Sequence, residues 1–424
     1  KKIAKLSLVA AVAVAGLTTA NAQPLEEAIK NVEVSGSVVY RYNDYNNDVV
    51  GKESAQTNNY KIAANLASKV NEDVKLNTRF IVGNGANSGF AQLGNNTNTA
   101  ANNTSDIANK DTGADITLSN VYFGYTGLKN TTVNVGKQGL TTPWTVAIDS
   151  DGNEQTGTGV LALTTIGQVT FGAGYFNQTN LNDSGNGTAI PTSKNLVNDR
   201  LVNTDAKTLI NGDEDIVVGA AIANLDLVTV DAWYLDMQDI FDTYTIGAKS
   251  DFKFDGGKVG VDARYVSLTL DDKIANKDEN AIAKIALTGN VGIVNAKVAY
   301  ANTDKDGGLT ALDQDAEATL LGWNITANAK ADADYWQAVL GVNILDNLNF
   351  TVHYGNLKSK ETDNNVFTGL QDIKAEEVYG QLTYKMSKNL TTYLRYGTYE
   401  EKQVSSGDKE QDQTRGRIQV AYTF

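Results

Sequence analysis

The stretch that most constrains this 424-residue chain is its last one, residues 414–424, reading T-R-G-R-I-Q-V-A-Y-T-F. Taken at period two, Gly416, Ile418, Val420, Tyr422 and Phe424 share one face, and Arg415, Arg417, Gln419, Ala421 and Thr423 share the other. One face is apolar and one is wet. A half-buried strand of a soluble protein alternates in the same way, but it seldom finishes on an aromatic pair with no polar tail.

Composition narrows the choice of surroundings. The mean hydropathy is −0.30, and no run of about 18 apolar residues exists outside the N-terminal segment, which excludes helical membrane spans. A barrel wall escapes such a scan, because every second residue faces lipid and its neighbour faces water. There are only 3 Pro, at positions 24, 143 and 191, so interior strands keep their ladder donors. The absence of Cys excludes disulfides and thiolate metal sites. With 50 acidic against 36 basic side chains, the chain lacks the basic face that nucleic acid requires. The terminal strand resembles the closing strand of bacterial outer-membrane barrels, whose final Phe is read during insertion. Tyr422 and Phe424 are therefore the expected insertion signal.

At the other end, Lys1, Lys2 and Lys5 precede an apolar stretch at 6–17, and Ala20-Asn21-Ala22 follows. A basic, then apolar, then A-x-A order reads as a secretory signal peptide over 1–22. Its removal takes three Lys and no acid, leaving 33 basic against 50 acidic groups and a net charge of −17. The mature part, 23–424, is expected to be one outer-membrane domain.

Along that part, alternating strands are separated by connections that are short and long in turn. Short ones fall near 69–72, 127–130, 165–168, 224–225, 252–257, 289–291, 345–348 and 387–389; long ones cover 83–115, 138–157, 178–213, 303–333 and 359–374. The expected fold is all-β: a transmembrane antiparallel β-barrel of about 18 strands, with short periplasmic turns and long extracellular loops. The segment 320–329 could be mistaken for one more strand. The long segments are rich in Asn, Thr, Gly and Asp, as at 95–104. Disordered linkers between domains are the competing reading, disfavoured because none leads into a new compositional class.

The most specific stretch is 136–160. It contains Pro143-Trp144, the acids Asp149, Asp151 and Glu154, and a Gly157-Thr158-Gly159 exit. Asp149-x-Asp151-Gly152-x-Glu154 has the oxygen density of a calcium loop without the full EF-hand spacing, so an ordinary solvated acidic loop is the better reading of the motif alone. As the third outer loop, at about 138–157, it is expected to fold inward and narrow the channel, with Trp144, Asp149, Asp151 and Glu154 at the constriction.

The chain resembles the Campylobacter-type major outer membrane porins. The likeness is carried by the signal peptide with the P-L-E-E-A-I-K segment at 24–30, by Val34-Ser35-Gly36 with Tyr40-Arg41-Tyr42, by Gly136-Lys137-Gln138 with Trp144-Thr145, by Ala147-Ile148-Asp149 and by Gly157-Thr158-Gly159-Val160. The resemblance implies an 18-stranded, homotrimeric general porin with calcium (Ca2+) held by loop carboxylates in the pore, and Asp149 matches the family's third-loop ligand.

Independently of that likeness, the lumen face carries Arg41, Lys61, Lys75 and Arg79 in the first three strands and Lys385, Arg395, Arg415 and Arg417 in the last three. Closure makes those strands neighbours, so the bases are expected to form one basic wall, with the loop acids facing it across a narrow watery gap. Lys and Arg scattered wherever a polar lumen allows is the plainer reading. The only His, His353, lies on the lumen side and has the wrong parity for a barrel hydrolase. The expected function is passive diffusion of small hydrophilic solutes and ions across the outer membrane with mild cation selectivity. The alternative is a structural or adhesive barrel whose long loops bind external partners.

Overall fold

This computed structural model describes residues 32–52, 54–85, 87–93, 114–183, 196–197, 200–201, 210–271, 279–360 and 372–424. The signal-peptide reading at 1–22, the 24–30 segment and the Asn-rich stretch 95–104 fall outside them.

Period-two patterning produces long strands, and each pairs with its sequence neighbours. In chain order they are β1 (Val32–Asn47), β2 (Ala55–Lys69), β3 (Val74–Asn84), β4 (Ala114–Tyr125), β5 (Thr131–Gly139), β6 (Thr156–Ile166), β7 (Val169–Thr179), β8 (Ile216–Asn224) and β9 (Thr229–Met237). The second half continues with β10 (Phe241–Phe254), β11 (Gly257–Leu270), β12 (Glu279–Val291), β13 (Val294–Thr303), β14 (Asp334–Leu345), β15 (Leu348–Ser359), β16 (Ile373–Lys385), β17 (Leu390–Gln403) and β18 (Lys409–Thr423). The 19-stranded sheet includes the two-residue strand Ala91–Gln92, which lies on β2, so the wall itself has 18 strands. All its pairings are antiparallel, and β18 closes on β1 with Tyr40 opposite Val420 and Val38 opposite Tyr422. Closure leaves the wall no edge. Phe424 completes the seam, its amide and carbonyl exchanging hydrogen bonds with Gly36 at 3.1 and 2.9 Å.

One end carries the long loops, with 238–240 between β9 and β10 as brief as a turn, while the connections at the other end are all short. Gly256 and Gly292 hold φ of 83° and 55° there, the left-handed conformation that two-residue hairpins require. Gly292, not Gly289, is thus the turn residue after β12, which runs on to Val291. Strand β5 runs to Gly139 and carries Gly136-Lys137-Gln138 inside the wall, so the third loop begins at 140, two residues later than the expected 138. The look-alike segment 320–329 is not a strand; it holds only one isolated bridge, Leu321 to Thr326.

The outer surface shows the depth pattern of a lipid-facing barrel. Exposed Ile246, Leu287, Val298, Leu340 and Val352 sit at mid-wall, with Tyr125, Phe252, Phe254 and Tyr384 towards the turns. Tyr234, Tyr244, Tyr265 and Trp336 lie towards the loops. On β1, Val34, Val38 and Tyr40 are exposed outward and Arg41 and Asn43 are buried inward.

The inner surface is divided in a way the alternation does not show. On β1–β3, β17 and β18 it is charged and polar. On β8–β16, towards the loop end, it is apolar: Ile216, Leu235, Val266, Leu268, Ile282, Tyr335 and Leu357 belong to one buried cluster inside the barrel. Loops 3 (residues 140–155) and 7 (residues 304–333) supply its other half, through Leu140 and Trp144 and through Leu309, Leu312, Leu320 and Ile325.

Candidate pore constriction

Loop 3 is a folded unit. Leu140 and Gln155 pair at its neck (2.9 Å), and the Thr145 hydroxyl donates to the Leu140 carbonyl at 3.0 Å. Trp144 is fully buried. It does not line a channel; it joins loop 3 to loop 7, because the Leu312 amide donates to its carbonyl at 2.8 Å. The Gln155 amide reaches the Leu312 carbonyl at 3.1 Å and the Ser150 amide donates to Asp315 at 2.9 Å. The two loops form one body within the lumen.

The acids of loop 3 and the basic wall do not face each other across a gap; they touch. Asp151 lies 3.0 Å from Arg41 and 3.4 Å from Arg417. Glu154 is 2.6 Å from Lys61 and 2.8 Å from Arg79, and the Arg79 Nε donates to its second oxygen at 3.0 Å. Ser119 also donates to Glu154. Burial alone would raise the Glu154 pKa, but Arg79 and Lys61 outweigh it and hold the carboxyl below its ordinary value. The physical reason for contact is desolvation: a loop packed on a wall excludes water, and buried charge then has to be paired.

The eight expected bases lie on neighbouring strands, and they divide by depth. Arg41, Lys61, Arg79 and Arg417 hold loop 3. Lys75 sits at the turn end, paired with Glu33 at 3.1 Å with both groups exposed. Lys385 is exposed at the same end. Arg395 and Arg415 meet the tip of loop 7 instead, with their guanidinium groups 5.0 and 5.3 Å from the Trp323 ring centre. That tip is fastened by Glu377 of β16, buried in the lumen, which accepts from the amides of Trp323 (2.9 Å) and Asn324 (2.8 Å). A Cβ on Gly322 would meet a Glu377 oxygen at 1.8 Å, so only glycine allows this approach.

Sequence reasoning missed the opposite anchor of loop 7. Glu317 lies 3.0 Å from Arg264 and 2.6 Å from Lys249, and Arg264 makes a two-pronged bond to Asp231, both distances 2.9 Å. One signal was available. Leu309, Ala311, Leu312, Ala316, Ala318 and Leu320 make this long connection more apolar than its Asn- and Asp-rich counterparts.

Asp149 lies apart from the ion pairs. It is buried, accepts two hydrogen bonds from Asn153 (both 2.8 Å), and has a pKa raised to about 6, first by burial and then by Asp151 and Asp315. Asp149, Asp313 and Asp315 each bring a carboxylate oxygen within 4.8 Å of the others. Three hard oxygens at that spacing fit a calcium ion bound at about 2.3 to 2.6 Å. Asp151 and Glu154 are committed to bases, so the acidic motif of loop 3 is split between two jobs.

A closed, lipid-faced barrel of 18 antiparallel strands, with short turns at one end, long loops at the other and loops packed in its lumen, defines an outer-membrane porin. The profile of the Campylobacter major outer membrane protein family matches residues 1–424, and the chain belongs to that family. Among solved structures it is similar to Pseudomonas aeruginosa OccK5 (OpdH), with a TM-score of 0.66 and 15% identity over 93% of this chain and 98% of that one. Acinetobacter baumannii OccAB3 gives a TM-score of 0.69 at 14% identity, covering 93% and 99%. Pseudomonas aeruginosa OpdO gives 0.68 at 14%, covering 95% and 99%. At such identities the likeness is one of fold. No curated protein sequence matches the chain.

Proposed function

We propose that this porin conducts small hydrophilic solutes and ions passively, along the lumen side bounded by β16–β18, β1 and the joined loops 3 and 7. The observation that carries the reading is the divided lumen: towards the loop end one wall is sealed by an apolar cluster, and the partly exposed charges Asp151, Arg395 and Arg415 lie on the other side. The excess of acids over bases favours mild cation selectivity, weakening as salt screens it. The competing reading is an occluded barrel with adhesive outer loops, and the packed loop 7 is what favours it. Single-channel recording in planar bilayers separates the two. Discrete conductance steps with a cation-side reversal potential in a KCl gradient are expected, and a barrel that inserts without conducting overturns the proposal.

Calcium is the proposed resident ion, held by Asp149, Asp313 and Asp315, where it would neutralise three crowded carboxylates and tie loop 3 to loop 7. It should raise the unfolding temperature of the native chain, and Asp149→Asn should remove most of that gain. In chelator the same variant should be no less stable than the native protein, because one like charge is gone. Indifference of the native protein to chelator would overturn the assignment. Export by residues 1–22, a homotrimeric state and the insertion role of Tyr422 and Phe424 complete the proposal. Replacing both aromatics by Ser should leave an exported but poorly inserted protein, read by heat-modifiable mobility of outer-membrane fractions.

A further inference from the structure

We propose that Arg395 and Arg415, grouped around Trp323, form a lumen site for small carboxylates that carry a flat, aromatic body. The inference rests on the porin reading only in placing this site on a solute's path. Its warrant is how the two guanidinium groups are spent. Arg395 lies 5.0 Å from the Trp323 ring centre, 5.1 Å from Tyr379 and 5.5 Å from Tyr393. Arg415 lies 3.9 Å from Tyr45 and 5.3 Å from Trp323. Neither forms an ion pair with a carboxylate among the described residues, whereas the neighbouring Arg417 is committed to Asp151.

A guanidinium held over a ring spends its face and keeps its edge, where the N–H donors lie. Arg395 uses one edge donor, Nε, on the Gln381 side-chain oxygen at 2.8 Å. The terminal nitrogens retain the fork that matches a carboxylate. Arg415 Nε and Trp323 Nε1 are buried donors with no acceptor among the described residues. The strand register adds like-charge strain, since Arg395 and Arg417 stand directly opposite each other on β17 and β18. An anion held by the terminal nitrogens of Arg395 offsets that repulsion.

The aromatic preference comes from the same residues. Trp323 meets Tyr379 edge-on at 5.3 Å, and Tyr379 in turn stacks on His353 at 4.3 Å and 10°. Tyr379 is thereby occupied and buried, and the partly exposed Trp323 is the ring left to meet a flat solute body. Passage requires a site weak enough to leave, so retention is expected to be loose and reversible.

The test titrates benzoate, acetate and benzyl alcohol into the detergent-solubilised full chain by calorimetry. Benzoate should bind, acetate more weakly, and benzyl alcohol not measurably. The Arg395→Gln/Arg415→Gln double variant, checked for folding by heat-modifiable mobility, should bind benzoate about tenfold more weakly or worse. Arg395→Lys keeps the charge, loses the fork, and should also bind more weakly, which keeps the test decisive if the double variant does not fold. Absence of benzoate binding, equal binding of benzoate and benzyl alcohol, or unchanged affinity in the variants overturns the site. Loss of the porin reading would instead show as absent conductance, and the titration would remain readable.

Discussion

Among the described residues, loops 3 and 7 both pack within the lumen, and they meet the basic wall on different terms. Loop 3 brings carboxylates and neutralises the bases it touches: Glu154 against Lys61 and Arg79, Asp151 against Arg41 and Arg417. Loop 7 brings an indole to Arg395 and Arg415 and leaves their charge standing. The difference separates anchorage from function on one continuous wall. Paired, buried charge fixes a loop in place, while unpaired charge beside a ring stays available to whatever enters the lumen.

The largest expected effect is on the anchored side. Glu154→Gln leaves buried Lys61 and Arg79 without their counter-charge, and should cost about 3 kcal/mol of stability. Thermal unfolding in detergent at neutral pH checks this. The pH profile gives the sign: the folded carboxyl lies below its ordinary value of 4.5, so its stabilisation is full above that pH and is lost as pH falls through the depressed value. The gap between native protein and variant should therefore close in acid. A gap that persists there would assign the loss to packing instead of charge.

A smaller effect is expected where loop 7 is fastened. Glu377→Gln keeps one acceptor oxygen where the carboxylate offers two to the Trp323 and Asn324 amides, and should cost about 1 to 2 kcal/mol. Open-channel current noise should rise as the tip loosens, because that tip borders the unpaired bases. Quiet currents with the same noise as the native protein would mean that the tip does not border the conducting path.

The smallest concerns Asp151, whose side chain is 43% exposed in both of its ion pairs. Asp151→Asn should change stability by less than about 1 kcal/mol, yet it frees Arg41 and Arg417 and should shift the reversal potential towards anions. A large loss of stability would make Asp151 as strong an anchor of loop 3 as Glu154.

Much of the barrel was readable beforehand because the information is local. The alternation of Val38, Tyr40 and Arg41, or of Ile418, Gln419 and Val420, assigns each residue a face without reference to any distant part of the chain. Turn glycines and loop lengths mark where the strands stop. The departures are local too: the turn expected at 289–291 lies just beyond it at Gly292, and the third loop expected from 138 begins at 140.

The contacts in the lumen were not local. Adjacency of the basic strands follows from closure, and that much the sequence by itself determined. Whether Asp151 and Glu154 face those bases across water or touch them depends on where loop 3 comes to rest, and loop 7 is packed against it there. Leu312 meets Trp144, and Glu317 meets Arg264, across long separations in sequence. Periodicity cannot report such meetings, since burial of a loop residue is set by the shape of the cavity it enters and not by its sequence neighbours. Tertiary structure alone therefore decided that Trp144 is buried, that Asp149 joins Asp313 and Asp315, and that Arg395 and Arg415 are left with a ring in place of a counter-ion.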